Sequence, residues 1–283
     1  MGVVLVGSGG YIGQEFAARL TASRIKHFSI SNRHTFDSLS KDFWKNTQEN
    51  TTIIWAAGQA NRHQNILSQD VINSETVRFE KFVKEISTLN VGHIRVLFMS
   101  SGGSIYRNFT TPPSETSELT ESNTYGILKL YMETLLFQSG INHASLRIGN
   151  VYGPRIDKQF GVIAKWARCI RDREKIQLTE SVHSRRDYIH ISDVIDFSFL
   201  LMNSTFKGPI NVATGKSTSL AQILELFEIH HPELLVDSDV PDEKEIKDYS
   251  QGALNVLLAQ KTFDWSSKVS IEDGIREILA DHR

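Results

Sequence analysis

The stretch VVLVGSGGYIG, residues 3–13, decides how the chain folds. VVLV is a short β-branched run that stops at glycine, as a buried parallel strand does. Glycines at 7, 9, 10 and 13 then lead into QEFAARLTAS (14–23), whose apolar residues recur at helical spacing. Glycine lets the backbone turn sharply and lets a pyrophosphate approach the helix N-terminus, where free N–H groups and the helix dipole favour negative charge. A strand, a glycine loop and a helix in this order read as a nucleotide-binding loop; the simpler alternative is a tight turn without a ligand.

Outward from that loop the pattern repeats. HFSIS reads as a second strand and TTIIWAAG (51–58) as a third, ending in the small residues Ala56, Ala57 and Gly58. A helix over 71–87 leads to a strand at IRVLFMSSGG (94–103), and a helix from near Thr124 leads to a strand at 143–153. Strands alternating with helices predict an α/β fold with a Rossmann-type doubly wound parallel sheet. Such sheets bind ligands at the carboxyl ends of their strands, where the glycines, serines and asparagines of this chain cluster. After Pro154 the elements shorten and acidic loops such as DSDVPDEKEIKD (237–248) appear. The expected organisation is a dinucleotide-binding domain over 1–153, with segments near 186–214 packing back on it, and a smaller C-terminal substrate-binding lobe over 154–283.

Composition narrows the function. The 283 residues are 40% hydrophobic with a formal charge of -2, and the basic residues are scattered, so no nucleic-acid partner or membrane surface is expected. No run of about 18 apolar residues spans a membrane. Cys169 is the single cysteine, which excludes an intrachain disulfide and suits a reducing compartment. Its amphipathic setting, IAKWARCIRDR, favours packing over nucleophilic chemistry. The N-terminus runs directly into the first strand without a basic leader. A cytoplasmic protein with no metal is the expectation.

FSISNR (28–33) bears on the cofactor. An acid ending the second strand would accept hydrogen bonds from an adenosine ribose and repel a 2′-phosphate. Here Ser31 and Asn32 can bond without repelling, and Arg33 follows. A charge-assisted bond from arginine is worth about 1.5–3 kcal/mol, which favours NADP(H). If Arg33 faces solvent instead, NAD(H) binds through Ser31 and Asn32. In YGILK, Tyr125 and Lys129 stand four apart on one helical face. A phenol ordinarily holds its proton to about pH 10, and an ammonium beside a phenol favours its ionised form. Such a pair can exchange a proton with a sugar oxygen while hydride moves to or from a nicotinamide. A surface Tyr–Lys pair is the alternative.

The glycine loop, SSGGSIY (100–106), YGILK followed by Glu133, RIGNVYGPR (147–155) and RRDYIHISDV (185–194) occur in one order. Together with GPINVATGKSTSLAQIL (208–224) and FDWSSKVSIEDGI (263–275), they make the chain resemble the extended short-chain dehydrogenase/reductase family of nucleotide-sugar epimerases, dehydratases and reductases. The resemblance implies that Gly7, Gly10 and Gly13, with Tyr11 and Ile12 between them, hold the cofactor phosphates, alongside Ala56, Ala57 and Gly58. It also implies that Tyr125 is the acid/base, that Lys129 holds the nicotinamide ribose, and that Asn73 is a cofactor-site residue of the central helix. Asn150 and Arg186 match positions that contact the sugar nucleotide, Arg186 at the diphosphate; Arg185 reads as a solvated charge. A homodimer through a helix pair is the family's habit.

Three departures from the family pattern matter. Gly102 stands where a catalytic Ser or Thr is usual, so the hydroxyl must come from Ser101, which is favoured, or Ser104. Gly103 and Ser104 stand where dehydratases carry Asp-Glu, and Ser104 also replaces the cysteine of enzymes that epimerise two carbons and then reduce. The third strand before IIWAAG is shortened or absent, and no late arginine has an obvious match, although Lys244 or Lys247 could serve. The resulting expectation is NADP-dependent reduction of a nucleotide-activated 4-keto, 6-deoxy hexose. An NAD-dependent nucleotide-sugar 4-epimerase is the alternative, and a non-catalytic nucleotide-binding relative stands behind both.

Overall fold

The structure is a computed structural model and describes residues 2–32, 36–37, 43–44, 51–58, 68–88, 94–106, 111–119, 123–155, 161–233, 236–238 and 252–280. Two compact units divide the chain. The first comprises Met1–Ile105, Thr120–Arg147 and Ile195–Ile210; the second comprises Tyr106–Leu119, Ile148–Val194 and Asn211–Arg283.

The first unit opens with β1 (Gly2–Val6), α1 (Tyr11–Ala22), β2 (His27–Ile30) and β3 (Thr51–Trp55). Helix Gln69–Ser87, β4 (Ile94–Ser101), a single turn at Gly102–Ile105, helix Thr124–Gln138 and β5 (Asn142–Ile148) follow. The six-stranded sheet runs in the order strand Gly208–Val212, β5, β4, β3, β1, β2. β1 is parallel to both β2 and β3, and β3 is parallel to β4. The strand order therefore reverses between β1 and β3, the switch point of a doubly wound sheet. The register sets Val6 beside Ile30 and Trp55, and Trp55 beside Phe98. Consequently Gly7, Ser31, Ala56 and Met99 all follow at one edge.

The strands are near-continuous apolar runs because both faces are covered. Val4, Val6, Ile53, Val96 and Phe98 are buried in one core with Phe79, Phe82 and Leu128. Trp55 lies 4.9 Å from the Phe79 ring and 4.6 Å from that of Phe82, so an aromatic cluster fixes the Gln69–Ser87 helix on β3. That helix starts two residues earlier than the sequence pattern predicts, because the Ser68 hydroxyl accepts from Val71 N and supplies its cap. The expected strand over 143–153 is a break, not a continuous element. After Gly149, residues Asn150–Tyr152 leave the sheet and pair in parallel with Tyr188–His190. The backbone changes partners there: Gly149 N donates to Val212 O and Asn150 N to Asp187 O.

In the second unit, helices Val162–Asp172, Leu220–His230 and Ile271–Ala280 bury Trp166, Phe227, Ile275 and Ile278 in a common core. Cys169 packs against this core, and burial raises its thiol pKa. Two buried carboxylates order the loops. Asp187 accepts from Thr214 N and Oγ1, Gly215 N and Leu254 N, while Asp193 accepts from Lys268 N and Val269 N. Burial raises the Asp187 carboxyl above its ordinary pKa against the pull of those hydrogen bonds. Among the described residues no helix is long and apolar enough to cross a membrane.

Candidate active site

The glycine loop is built by close backbone approach. Gly7 has φ +97, and a Cβ on it would lie 2.5 Å from Ala57 N. A Cβ on Gly13 would lie 2.0 Å from Gly7 O, so this glycine seats α1 against the strand end. Gly9, outside the three glycines matched by the family pattern, is equally constrained, since its Cβ would lie 2.7 Å from Ser31 O. Gly10 differs. A Cβ there would meet only Gly7 O at 3.5 Å, an ordinary contact, and φ is -82. The fold itself does not require glycine at this position. Gly10 caps α1 without a side-chain hydrogen bond, and the first turn holds no acid. An N-terminus with neither a side-chain cap nor an acid in its first turn fits a dinucleotide pyrophosphate. Tyr11 and Ile12 are half-buried in the first turn. Ala56 and Ala57 are half-buried and Gly58 exposed beyond β3.

Ser31 and Asn32 are exposed just past β2, and neither they nor the glycine loop carries a carboxylate. Arg33 lies outside the described residues, as do Lys244 and Lys247. Asn73 is on the exposed face of its helix, where its Oδ1 accepts from Gln69 Nε2 at 2.8 Å.

Tyr125 and Lys129 occupy the first turns of the Thr124–Gln138 helix, whose start is set by Asn123 Oδ1 accepting from Gly126 N at 2.9 Å. Tyr125 is half-buried and Lys129 is 8% exposed. The Lys129 ammonium donates to Met99 O at 2.8 Å and lies 4.8 Å from the Phe98 ring centroid and 5.6 Å from that of Tyr125. An ammonium has three donors, and Met99 takes one. The remaining N–H groups fit a ribose diol. Ser101 is half-buried at the end of β4 and donates to the fully buried Ser104 hydroxyl at 3.3 Å.

Two features that the sequence motifs do not reveal hold this helix. Gly126 lets it meet the Gly102–Ile105 turn, since a Cβ would lie 2.2 Å from Ser104 O. Gly126→Ala is expected to lower the unfolding free energy by about 1–3 kcal/mol. An unchanged urea midpoint would mean that the helix can move aside. Below Lys129, the buried Glu133 carboxylate accepts from Ser100 Oγ, from Arg147 Nε at 3.1 Å and from Arg147 Nη2 at 2.8 Å. Glu133 follows Lys129 by four residues, the one signal that it shares the helical face directed at the sheet.

The second unit holds the other matched residues. Asn150 donates through Nδ2 to Asp187 O at 3.1 Å. Arg186, with 17% side-chain exposure, donates through Nη2 to Glu180. Its Nη1 is buried and has no partner among the described residues. Burial works against the Arg186 charge, but Tyr188 and Glu180 outweigh it and hold the guanidinium above its ordinary pKa. Arg185 is exposed and is fastened to Ser217, through Nε to the hydroxyl at 2.9 Å and through Nη2 to the carbonyl at 2.6 Å.

A parallel sheet with a glycine loop at its switch point and a Tyr–Lys pair at the same edge defines a dinucleotide-binding α/β protein. The chain belongs to the NAD dependent epimerase/dehydratase family, whose model matches residues 3–213. It is 31% identical over 197 residues to dTDP-4-dehydro-6-deoxyglucose reductase of Escherichia coli, a match covering 67% of this chain and 61% of that protein. It is 25% identical over 176 residues to dTDP-L-rhamnose 4-epimerase of Burkholderia thailandensis, covering 58% of this chain and 47% of the relative. The chain thus spans less than two thirds of the length of these curated relatives. Among solved structures, UDP-glucose 4-epimerase of Thermotoga maritima superposes with a TM-score of 0.85 at 20% identity, over 99% of this chain and 98% of that one. A nicotinamide dinucleotide is the cofactor class that the family and the loop geometry both support.

Proposed function

We propose that the protein reduces the 4-keto group of a nucleotide-activated 6-deoxyhexose with NADPH. The observation that carries this reading is the buried Lys129 ammonium, held on the Met99 carbonyl beside the Tyr125 ring, with Ser101 ending the same strand. When bound, the reduced nicotinamide supplies the hydride for the carbonyl carbon. Tyr125 gives its proton to the carbonyl oxygen, Lys129 binds the ribose beside it, and Ser101 holds the oxygen once its single O–H turns from Ser104 to the substrate. Ser104, fully buried, accepts that O–H in the absence of substrate. Asn150 and Arg186 are assigned to the sugar nucleotide, with the buried Arg186 Nη1 donating to the diphosphate.

Two features favour reduction over the family's other reactions. Gly103 and Ser104 provide no acid and base for eliminating water. Ser31 and Asn32 leave β2 without a carboxylate to repel a 2′-phosphate, which suits an exchangeable NADPH. The match to the Escherichia coli reductase points the same way. A 4-epimerase with retained NAD⁺ is the second reading, favoured by the Burkholderia relative, because the same Tyr–Lys pair serves it.

The test offers the purified protein dTDP- and UDP-linked 4-keto-6-deoxyglucose with NADPH or NADH. Consumption of NADPH equal to the sugar reduced, with weaker use of NADH, is expected. No consumption, together with interconversion of UDP-glucose and UDP-galactose on added or retained NAD⁺, would replace the reductase with the epimerase.

A further inference from the structure

We propose that Glu180 is a specificity-determining residue, a charge filter at Arg186 that favours the diester diphosphate of a nucleotide sugar over a free nucleoside diphosphate. The inference rests on the assignment of Arg186 to the diphosphate made above. Arg186 presents a planar fork: Nη2 donates to Glu180, the Tyr188 hydroxyl also lies against the guanidinium, and Nη1 is buried with no hydrogen-bond partner among the described residues. The two side chains are 17% and 34% exposed, so solvent screens their charges less than at an open surface. An anion that reaches Nη1 therefore arrives beside a carboxylate already holding the same guanidinium.

The cost of that neighbour grows with the charge on the ligand. Each phosphorus of a nucleotide sugar carries one ionised oxygen, so its diphosphate bears about two charges. A free nucleoside diphosphate ends in a phosphate monoester, which loses its second proton near pH 6 and so brings the total toward about three. Glu180 opposes the additional charge, while the fork of Arg186 still binds the diester. Opposition between like charges is a recognised source of specificity, distinct from the attraction that supplies affinity. The consequence is a site that the abundant free diphosphates occupy poorly.

Isothermal titration of the full chain at neutral pH tests this with UDP, dTDP and GDP, each beside its hexose derivative. Glu180→Gln keeps the size of the side chain and removes its charge. It is expected to tighten the free diphosphates about tenfold and the hexose derivatives about threefold, narrowing the discrimination about threefold. Equal gains for both kinds of ligand, no gain, or weaker binding would overturn the filter. Arg186→Gln separates this from the underlying assignment. It is expected to weaken every bound nucleotide about tenfold or more. If Arg186→Gln weakens binding while Glu180→Gln is silent, only the filter fails. If Arg186→Gln changes nothing, or if no nucleotide binds the unmodified protein, the placement of the diphosphate at Arg186 fails and the filter with it.

Discussion

Tyr125→Phe is expected to lower turnover of a 4-keto nucleotide sugar by about 10²–10⁴-fold while leaving NADPH affinity nearly unchanged. The substitution removes one oxygen from a half-buried ring and leaves the ring beside Lys129. Lys129 keeps its bond to Met99 O, so the N–H groups assigned to the ribose in the proposed mechanism stay in place. What disappears is the proton that must reach the carbonyl oxygen as hydride reaches carbon. Single-turnover measurements with saturating NADPH isolate that step. Unchanged turnover would sink the assignment of Tyr125 as the acid, whereas lost cofactor affinity would mean that its hydroxyl serves binding. A protein that only binds nucleotide would show no turnover in either form.

Arg147→Met is expected to cost about 3–5 kcal/mol of stability, because it strands a carboxylate in the core. Arg147 and Glu133 have side-chain exposures of 4% and 8%, and Arg147 donates to that carboxylate through both Nε and Nη2. Among the described residues, Ser100 alone remains to satisfy Glu133 after the change. Replacing both residues, with Arg147→Met and Glu133→Leu, removes the stranded charge and should recover most of the loss. The two urea midpoints provide the comparison. A single-variant loss below about 1 kcal/mol would mean that water or a proton reaches Glu133. The pair fastens the Tyr125 helix to β5, so the double variant also tests whether that anchoring matters beyond stability. Reduced turnover with restored stability would show that the ion pair positions the helix.

Much of the fold was legible in the sequence because it rests on local rules. β-branched runs ending in glycine or serine, separated by helical periodicity, are enough to predict a parallel α/β sheet. The limits of local reading appear at Gly149. HASLRIGNVYG satisfies the pattern of one strand, yet the backbone exchanges sheet partners midway, because Val212 and Asp187 offer acceptors from distant segments. The start of the Gln69–Ser87 helix was misread for a smaller reason. Ser68 supplies a cap that lies before the apolar repeat begins.

At the candidate site the division is similar. Helical geometry alone places Tyr125 and Lys129 on one face, and the glycine spacing alone marks the loop after β1. Whether a glycine is needed for the fold or for a visitor depends on what surrounds it. Gly9 and Gly13 press against the backbone of Ser31 and Gly7, whereas Gly10 does not. The sequence by itself determined the class of sheet, the glycine loop after β1 and the spacing of the Tyr–Lys pair, since each follows from periodicity or from the stereochemistry of neighbouring residues. Only the tertiary structure decided that the Lys129 ammonium rests on a carbonyl 30 residues away, that Glu133 is neutralised by Arg147 and that Glu180 occupies one arm of Arg186. Those contacts are electrostatic and non-local: the position of one charge sets the energy of the next only after folding has brought them within hydrogen-bonding distance.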